Sequence, residues 1–289
     1  MNSSPVVNNP RVVLGVNTRV SPDVEFIFHR DSRITIGDNC IINSGVKFVC
    51  DGGDVSIDDW STLHDRCLVL SSQGVKIGQH CWFGQNSIID GTGGMTIGNG
   101  VRVGMYSQLW SHVAAGEQME GCTLYGRRPV TIEDDVWLVG SCIVASGLTL
   151  GRRSIALIGS NITRSTAPAT VVAGSPATVK PGLEFYKTLG LDEKWAMLQS
   201  WLHEIATEQD LLLDEISAGV LRFRTKEPSS TQELFFACSS ADAAQLRQEF
   251  AATVCCVEDK RYNKRLTPLE CRVLKNLAGN RARFYRLEK

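Results

Sequence analysis

The sequence predicts a mainly β protein in which a parallel β-helix of hexapeptide repeats precedes a smaller α+β region. The first observation is a strict six-residue period between Ile132 and Ile162. Apolar residues occupy one phase of that period, namely Ile132, Leu138, Val144, Leu150, Ala156 and Ile162. A helix repeats every ~3.6 residues and a half-buried strand every two. A period of six therefore indicates a β-helix, in which a short strand and a corner recur.

The second observation concerns the residues that lie four positions after each of these apolar residues. They are mostly small, and they are Val136, Cys142, Leu148, Ser154 and Ser160. Small side chains fit beside the aliphatic ones inside a narrow prism. The polar triplets at 133–135 and 151–153 fall at the corners, where Gly, Asp and Asn tolerate unusual backbone angles.

The repeat begins near Leu14, and its earlier coils are longer than the later ones. Ile36, Ile57, Ile77 and Ile97 are spaced by 21, 20 and 20 residues, whereas three hexapeptides make a coil of about 18. We expect the two or three additional residues of each coil to lie at one corner. The Gly-rich stretches 51–54, 71–74 and 91–94 are the predicted places, because glycine clusters mark turns.

A long interruption of the repeat follows. The repeat that is due near residue 117 is displaced to Ile132, so residues 113–129 are predicted to form a loop that leaves the β-helix. A long loop in a regular fold often carries function. We place the β-helix domain at residues 1–180, with this excursion at 113–129.

Residues 181–289 have a different character, and this is the third observation. Their pattern predicts an α+β domain of unknown role, with helices at 192–209, 241–252 and 268–287 and short strands at 220–223 and 234–237. Residues 259–289 contain ten Lys or Arg against three Asp or Glu. This basic segment is either a solvated helix face or a surface for phosphate groups or a membrane.

Composition excludes several classes of function. The net charge of −1 gives no global case for nucleic acid, and no apolar stretch is long enough to predict a transmembrane segment. The N-terminal residues lack a basic region followed by an apolar run, which predicts no secretory signal.

The ten cysteines include no CxxC pair, so we expect free thiols, a cytoplasmic location and no metal site. Cys40, Cys67, Cys81 and Cys142 fall at the small interior position and are predicted to fill the core.

Three motifs resemble one family of enzymes. Ser111-His112 precedes the excursion, residues 128–138 (RPVTIEDDVWL) follow it, and residues 171–177 (VVAGSPA) end the repeat. Together they resemble the hexapeptide-repeat (left-handed β-helix) acyltransferases and look closest to the sugar O-acetyltransferases of the galactoside, maltose and nodulation-factor group. The resemblance covers about residues 30–180. It implies a left-handed β-helix, acetyl-CoA as co-substrate, and a homotrimer with active sites between subunits.

The resemblance also implies roles for individual residues. His112 matches the catalytic histidine, a general base whose reference pKa of about 6.5 suits proton transfer near neutral pH. A backbone N–H near Gly140 would stabilise the oxyanion of the transition state. The residues that match CoA-binding positions are Trp137, Gly140, Ile158, Thr163 and Arg164. Arginines that other members carry after the Ala-Gly-x-Pro motif are replaced here by Thr178 and Pro181, which leaves Lys180 as the nearby cation.

The acceptor site has weaker candidates. The family holds its sugar with a polar residue about one coil before the histidine, and Gln85, Asn86 and Asp90 lie in that region. Glu117, in the excursion, is a candidate both for the acceptor site and for orienting His112. The N-terminal helical lid of the galactoside and maltose enzymes is absent from this sequence, so the acceptor is expected to differ from theirs.

The predicted function is acetyl transfer from acetyl-CoA directly to a carbohydrate hydroxyl, with surface polysaccharide synthesis as a candidate context. N-acetylation of an amino sugar is the nearest alternative, because the same base serves both acceptors. A zinc carbonic anhydrase on the same helix would need three convergent histidines. His64, His80 and His112 fall at different phases of the repeat, which disfavours that class. A non-catalytic binding solenoid is the remaining alternative.

Overall fold

The computed structural model describes residues 9–114, 116–227 and 232–287. The chain divides into two compact units, Met1–Tyr186 and Lys187–Lys289. The domain boundary that the sequence suggested, after residue 180, falls shortly before the end of the first unit. No helix in the described residues is long and apolar enough to cross a membrane.

The first unit is a prism in which all described strands but two form three sheets that run along its axis, and the remaining two form a separate hairpin. Sheet A contains β1 Val12–Leu14, β4 Ile34–Ile36, β7 Val55–Ile57, β10 Val75–Ile77, β13 Met95–Ile97, β18 Val130–Ile132 and β21 Thr149–Leu150. Sheet B contains β2 Arg19–Val20, β5 Ile41–Ile42, β8 Thr62–Leu63, β11 Trp82–Phe83, β14 Arg102–Val103, β19 Trp137–Leu138, β22 Ile155–Ala156, β24 Val171–Gly174 and β25 Ala177–Val179. Sheet C contains β3 Glu25–Phe28, β6 Lys47–Cys50, β9 Leu68–Ser71, β12 Ile88–Gly91, β15 Gln108–Leu109, β20 Ile143–Val144 and β23 Asn161–Ile162.

Successive coils stack in register, which confirms the predicted parallel β architecture. In sheet A, Ile36 pairs with Ile57, Ile57 with Ile77 and Ile77 with Ile97, all in parallel. The six residues of the predicted interior phase, Ile132 to Ile162, are all buried. The four cysteines predicted to fill the core are buried as well. The interior is therefore a continuous column of aliphatic side chains, with small residues where the prism narrows.

The corners between sheets A and B, here called the A–B edge, carry polar side chains that link one coil to the next. Asp134 Oδ1 accepts a hydrogen bond from the backbone N–H of Asn99, and Asn99 Oδ1 accepts one from Gln79, at 2.6 and 2.8 Å. Asp135 and Arg153 have φ values of 58° and 59° at equivalent positions. The unusual backbone angles expected at 133–135 and 151–153 are thus confirmed.

The additional residues of the early coils enlarge one side of the prism. The strands of sheet C are four residues long in β3, β6, β9 and β12, but two residues long in β15, β20 and β23. The Gly-rich stretches follow these longer strands, at the corners between sheet C and sheet A (the C–A edge). The third set of corners, between sheets B and C, is called the B–C edge.

The second unit is an α+β fold. Its described elements are α1 Leu191–Glu208, β26 Leu211–Ser217, β27 Val220–Thr225, β28 Glu233–Ala237, α2 Ser240–Glu249, β29 Thr253–Cys256, β30 Arg261–Tyr262, α3 Pro268–Leu277 and β31 Tyr285–Arg286. The strands follow one another in a single mixed sheet, in which β28 pairs parallel with β29. Phe223, Phe235 and Phe236 are fully buried in it.

The helix predicted at 268–287 is shorter than expected. It ends at Leu277, and Gly279 follows with a φ of 92°. Phe284 is then buried against Phe236, and the chain continues as β31 beside β30. Strands β26 and β29 were also absent from the prediction, because their apolar residues do not alternate with polar ones.

Candidate active site

The excursion emerges from the C–A edge as a β-hairpin. Strand β16 His112–Ala114 pairs antiparallel with β17 Tyr125–Arg127, so that His112 lies opposite Arg127. A 3₁₀ turn at Gln118–Glu120 lies between the two strands. The prism resumes at Val130, which is buried. His112 therefore occupies the first position of the hairpin, where the chain leaves a rigid coil.

A buried carboxylate holds the ring of His112. Nδ1 of His112 lies 2.7 Å from Oδ2 of Asp90. The Asp90 side chain is fully enclosed, whereas a third of the His112 side chain (33%) is exposed. Because an ionised carboxylate can only accept, Nδ1 carries the proton and Nε2 is left as the acceptor. The exposed part of the ring can then receive a proton from a bound substrate.

Asp90 is itself fixed by several donors. Its Oδ2 accepts hydrogen bonds from the backbone N–H and the hydroxyl of Ser111, and its Oδ1 accepts one from the backbone N–H of Thr92. Burial acts to raise the pKa of Asp90, but the hydrogen bonds from Thr92, His112 and Ser111 together outweigh it, so that its pKa is lowered. The carboxylate thus stays ionised at neutral pH and can stabilise a positive charge on His112.

The coil beneath His112 restricts its backbone. The N–H of Gly93 donates to the Ser111 hydroxyl at 2.8 Å. A Cβ atom on Gly93 would lie 2.1 Å from the carbonyl oxygen of Ser111, so glycine is needed for the two coils to approach. Trp110 contacts the His112 ring edge-on, with ring centroids 6.1 Å apart.

The geometry favours Asp90 over Glu117 as the residue that orients His112. Glu117 is exposed beside the 3₁₀ turn, and Nδ1 of His112 is already engaged by Asp90. The enlarged strand β12 places Asp90 at an outward position of sheet C, in line with Leu70. A substrate contact by Asp90 stays a prediction, but its enclosed carboxylate fits a positioning role better.

Two of the predicted CoA-binding positions lie on the B–C edge in successive coils. The carbonyl of Gly140 accepts a hydrogen bond from the N–H of Gly159, which stacks the two corners. Within the described residues, the backbone N–H groups of Gly140 and Ile158 have no acceptor. Ile158 is also exposed, at 72%. Two free amides are available here for carbonyl oxygens of a ligand.

The other CoA-binding candidates are distributed over the prism. Trp137 faces outward from sheet B between Arg102 and Ile155, and it is 43% exposed. Thr163 and Arg164 are exposed on the C–A edge, directly after β23. Lys180 follows β25, and its ammonium group donates to the Thr178 hydroxyl.

The remaining acceptor candidates, Gln85 and Asn86, lie on the B–C edge. Asn86 has a φ of 58°, and its side-chain oxygen accepts a hydrogen bond from Nε of Arg66 at 3.0 Å. Both residues are half-buried. Asn86 thus has a structural task already, and His112 lies on a different edge of the prism.

The three histidines considered for a zinc site, His64, His80 and His112, lie on three different edges of the prism. His64 lies on the B–C edge, His80 on the A–B edge and His112 on the C–A edge. Nδ1 of His64 is within hydrogen-bond distance of the Asn43 amide, and burial lowers the pKa of this histidine. The ring of His80 stacks on Trp60. His64 and His80 therefore have structural environments of their own.

Known proteins share the repeat. A family model described as the hexapeptide repeat of succinyl-transferase matches residues 74–105. Nodulation protein L of Rhizobium meliloti is 34% identical over 108 residues, which cover 37% of this chain and 58% of that protein. Galactoside O-acetyltransferase of Lactococcus lactis is 24% identical over 145 residues, which cover 50% of this chain and 61% of that protein. The matched part thus spans less than two thirds of either relative.

A solved structure shows the same fold. The polySia specific acetyltransferase NeuO superposes with a TM-score of 0.50 at 18% identity, covering 67% of this chain and 93% of that one. At this identity the likeness concerns the fold alone. With the sequence relatives, it confirms the resemblance to the hexapeptide-repeat acyltransferases.

Proposed function

We propose that this chain, which shares its repeat with the hexapeptide-repeat acyltransferases, is an acetyl-CoA-dependent acetyltransferase that acts on a carbohydrate hydroxyl. The observation that carries this proposal is the contact between Nδ1 of His112 and the buried Asp90 carboxylate. A histidine held in this way at the mouth of a surface loop has the geometry of a general base. The name of one sequence relative, galactoside O-acetyltransferase, indicates the group that is transferred.

The proposed reaction is a direct transfer. Nε2 of His112 takes the proton of the acceptor hydroxyl while that oxygen attacks the carbonyl carbon of the thioester. The C–S bond then breaks, and the proton passes from His112 to the leaving thiolate. Asp90 stabilises the imidazolium that exists between the two steps. None of the ten cysteines has a covalent role in this scheme.

The distribution of the candidate residues supports a site shared between two copies. His112, Thr163 and Arg164 lie on the C–A edge, whereas Gly140 and Ile158 lie on the B–C edge, with the whole of sheet C between them. A general base on one edge and an oxyanion donor on another would not meet at one thioester carbonyl within a single prism, but a neighbouring prism can supply the second edge. We therefore propose a homotrimer of left-handed prisms with the active sites between subunits.

The proposed roles for CoA follow from the exposed groups. The free amides of Gly140 and Ile158 suit the carbonyl groups of the pantetheine arm, and Gly140 also suits the oxyanion. Trp137 offers an exposed aromatic surface beside them. Arg164 and Lys180 suit phosphate, because arginine can bind it through two parallel hydrogen bonds. Thr163 supplies a hydroxyl next to Arg164.

The first experiment is calorimetry of acetyl-CoA binding to the wild type and to Trp137→Ala. Binding that is weakened by the substitution would support acetyl-CoA as the donor and would support a CoA-binding site at Trp137. A folded wild type that does not bind acetyl-CoA would overturn the proposal. Acetyl transfer to hydroxyl and amine acceptors, with His112→Ala as the inactive control, then distinguishes O-acetylation from N-acetylation of an amino sugar.

A complementation experiment tests the shared site. Copies with His112→Ala and copies with Trp137→Ala are expected to be poorly active alone at low acetyl-CoA concentration. After random assembly of equal amounts of the two variants, about one quarter of all sites would combine an intact histidine with an intact tryptophan from the neighbour. Recovered activity after joint refolding is the expected result. No recovery, with mixed trimers demonstrated by mass, would assign both residues to one chain's own site.

A further inference from the structure

An open cleft lies on the C–A edge, on the N-terminal side of His112. Its volume is about 300 Å³. It is lined by Gly52, Gly53, Asp54, Ser56, Gln73, Gly74, Val75 and Lys76, of which Asp54, Ser56, Gln73 and Lys76 have polar side chains. The cleft is thus formed by the corners of two enlarged coils and by the adjoining border of sheet A.

The cleft is continuous with the site around His112. Val75 pairs with Met95, so the corner at Gly74 lies directly beneath the corner at Gly94. The next coil above contains Ser111, whose hydroxyl accepts a hydrogen bond from Gly93. Neighbouring strands are about 4.8 Å apart. The cleft therefore begins roughly 10 Å from the coil of His112, along the same edge.

The edge between the cleft and His112 carries few side chains. Gly74 and Gly94 both have positive φ, at 106° and 96°, a conformation that favours glycine. At either position a Cβ atom would have no neighbour closer than 3.6 Å, so space is open there. Thr92 and Pro129 lie at this corner: the backbone N–H of Thr92 contacts Asp90, and the Pro129 side chain is the nearest neighbour of a Cβ placed on Gly94. The edge that leads from the cleft towards His112 and Asp90 is therefore open at the two glycine corners.

The polar groups in the cleft suit a polyhydroxylated ligand. Ser56, Lys76 and Thr96 are neighbours in register on the outward side of sheet A, and all three are exposed. Within the described residues, the side chains of Ser56, Gln73 and Lys76 have no hydrogen-bond or ion-pair partner. Sheet C, in contrast, presents the aliphatic residues Val49 and Leu70 at the corresponding outward positions. Hydroxyl, amide and ammonium groups together match the donors and acceptors of a sugar ring.

We infer that the cleft is a distal acceptor subsite, so that the acceptor is a carbohydrate of two or more sugar units rather than a free monosaccharide. This inference rests on the proposed function, because the reacting hydroxyl must reach His112. The span of roughly 10 Å between the cleft and the His112 coil is longer than one sugar ring. One unit would be held beside His112 while a later unit occupies the cleft.

The test measures acceptor length. The probes are two homologous series of one to four units, β-1,4-linked N-acetylglucosamine and α-2,8-linked sialic acid, one neutral and one acidic. For at least one series, kcat/KM for acetyl transfer and direct binding by calorimetry are expected to improve by about tenfold or more from the monomer to the tetramer. Equal values for monomers and tetramers in both series would overturn the inference.

Two variants localise the effect. Ser56→Tyr places a bulky side chain in the cleft and is expected to abolish the length dependence, so that the tetramer is used no better than the monomer. Val13→Tyr is the matched control, because Val13 is exposed on the same face of sheet A, two coils further from His112 than Ser56. A length dependence that survives in Ser56→Tyr would overturn the inference. Calorimetry with acetyl-CoA alone tests the proposed acetyl donor separately. Direct binding of the oligosaccharides tests the cleft even if no acetyl group is transferred.

Discussion

Nδ1 of His112 and Oδ2 of Asp90 are 2.7 Å apart, although the two residues are 22 positions apart in the sequence. The separation corresponds to one enlarged coil, so the two side chains are brought together by the stacking of coils and not by the hairpin. The same carboxylate also binds the backbone and the hydroxyl of Ser111. Asp90 thus fixes both the ring of His112 and the chain that carries it.

The first prediction concerns Asp90→Asn. The amide cannot stabilise an imidazolium as a carboxylate does, and it can present an N–H to Nδ1 and so favour the wrong tautomer. We expect kcat to fall by about 10²-fold or more, with little change in the affinity for acetyl-CoA. Steady-state kinetics with a carbohydrate acceptor measures kcat, and calorimetry measures the affinity for acetyl-CoA.

Glu117→Gln is the matched control for this prediction. It makes the same change of carboxylate to amide at an exposed position of the excursion, and its kcat is expected to stay close to that of the wild type. A large loss in Glu117→Gln with no loss in Asp90→Asn would reverse the assignment of the orienting residue. Circular dichroism of each variant distinguishes a catalytic defect from unfolding.

The second prediction uses two adjacent residues on one strand. Leu138 is fully buried in the prism, whereas its neighbour Trp137 points outward. Leu138→Ala leaves a cavity and is expected to lower the free energy of unfolding by about 2–5 kcal/mol. Trp137→Ala is expected to change it by less than about 1 kcal/mol, while weakening acetyl-CoA binding.

Urea denaturation followed by circular dichroism measures both variants. The comparison is well controlled, because the two substitutions lie in the same strand and both remove a large apolar side chain. A loss of stability in Trp137→Ala as large as that in Leu138→Ala would mean that Trp137 is part of a packed interface needed for folding. Its role would then be structural.

The third prediction concerns the reactivity of the thiols. Burial raises the pKa of Cys40 to about 12 and that of Cys67 to about 11. The thiolate is the reactive form, so these two residues should be among the last to react with iodoacetamide in the native protein. Cys122, Cys238 and Cys271 are only partly buried, and these three should react before the buried thiols.

Mass spectrometry of peptides after timed labelling gives the order of reaction. Denatured protein serves as the control, because all ten thiols are then expected to react at similar rates. Rapid labelling of Cys40 in the native protein would contradict its position in the core. It would indicate instead that the prism opens locally near its N-terminal coils.

The sequence predicts the prism well because each coil repeats the same physical requirement. An apolar residue at every sixth position must be buried, and a small residue must fit beside it. The pattern between Ile132 and Ile162 is therefore sufficient to predict the fold. His112 was found because it lies where this pattern stops. The partner of His112 was harder to identify, since Asp90 lies one enlarged coil away and the extra residues obscure the alignment of coils.

The second unit was less predictable for a related reason. Strands such as β29 are buried on both faces, so their residues form a short apolar run without alternation, and such runs do not distinguish strand from helix. The chain from 278 to 287 follows a helix of strong amphipathic pattern. Its departure from that helix depends on Gly279 and on the burial of Phe284 against Phe236, a contact that no local pattern reveals.

Glu270 offers a final prediction, in the second unit. Its side chain is fully buried at the start of α3, and Oε2 accepts hydrogen bonds from the Thr253 hydroxyl and from the backbone N–H groups of Arg265 and Leu266. Within the described residues, Oε1 has no hydrogen-bond partner. Burial raises the pKa of Glu270 above its ordinary value of 4.5, and the three hydrogen bonds only partly offset this effect.

The sign of the pH dependence follows from that raised pKa. The folded unit binds this proton more tightly than the unfolded chain does, so the stability due to Glu270 is fully present below pH 4.5. It is lost as the pH rises through the higher pKa of the folded state. Glu270→Gln keeps an oxygen for the three donors and cannot ionise. We therefore expect this variant to show a smaller loss of stability than the wild type on going from pH 4.5 to pH 8.

Hydrogen–deuterium exchange of peptides from α3 and β29, corrected for the intrinsic effect of pH on exchange, measures this loss in the unit that contains Glu270. Glu215→Gln is the control, because Glu215 is exposed on β26 and should leave the pH dependence as it is in the wild type. Glu270→Leu, which removes all three hydrogen bonds, should destabilise α3 at every pH, since buried backbone donors would lose their acceptor. If Glu270→Gln and the wild type lose protection equally between pH 4.5 and pH 8, then Glu270 is ionised in the folded state throughout, and the three donors outweigh the effect of its burial.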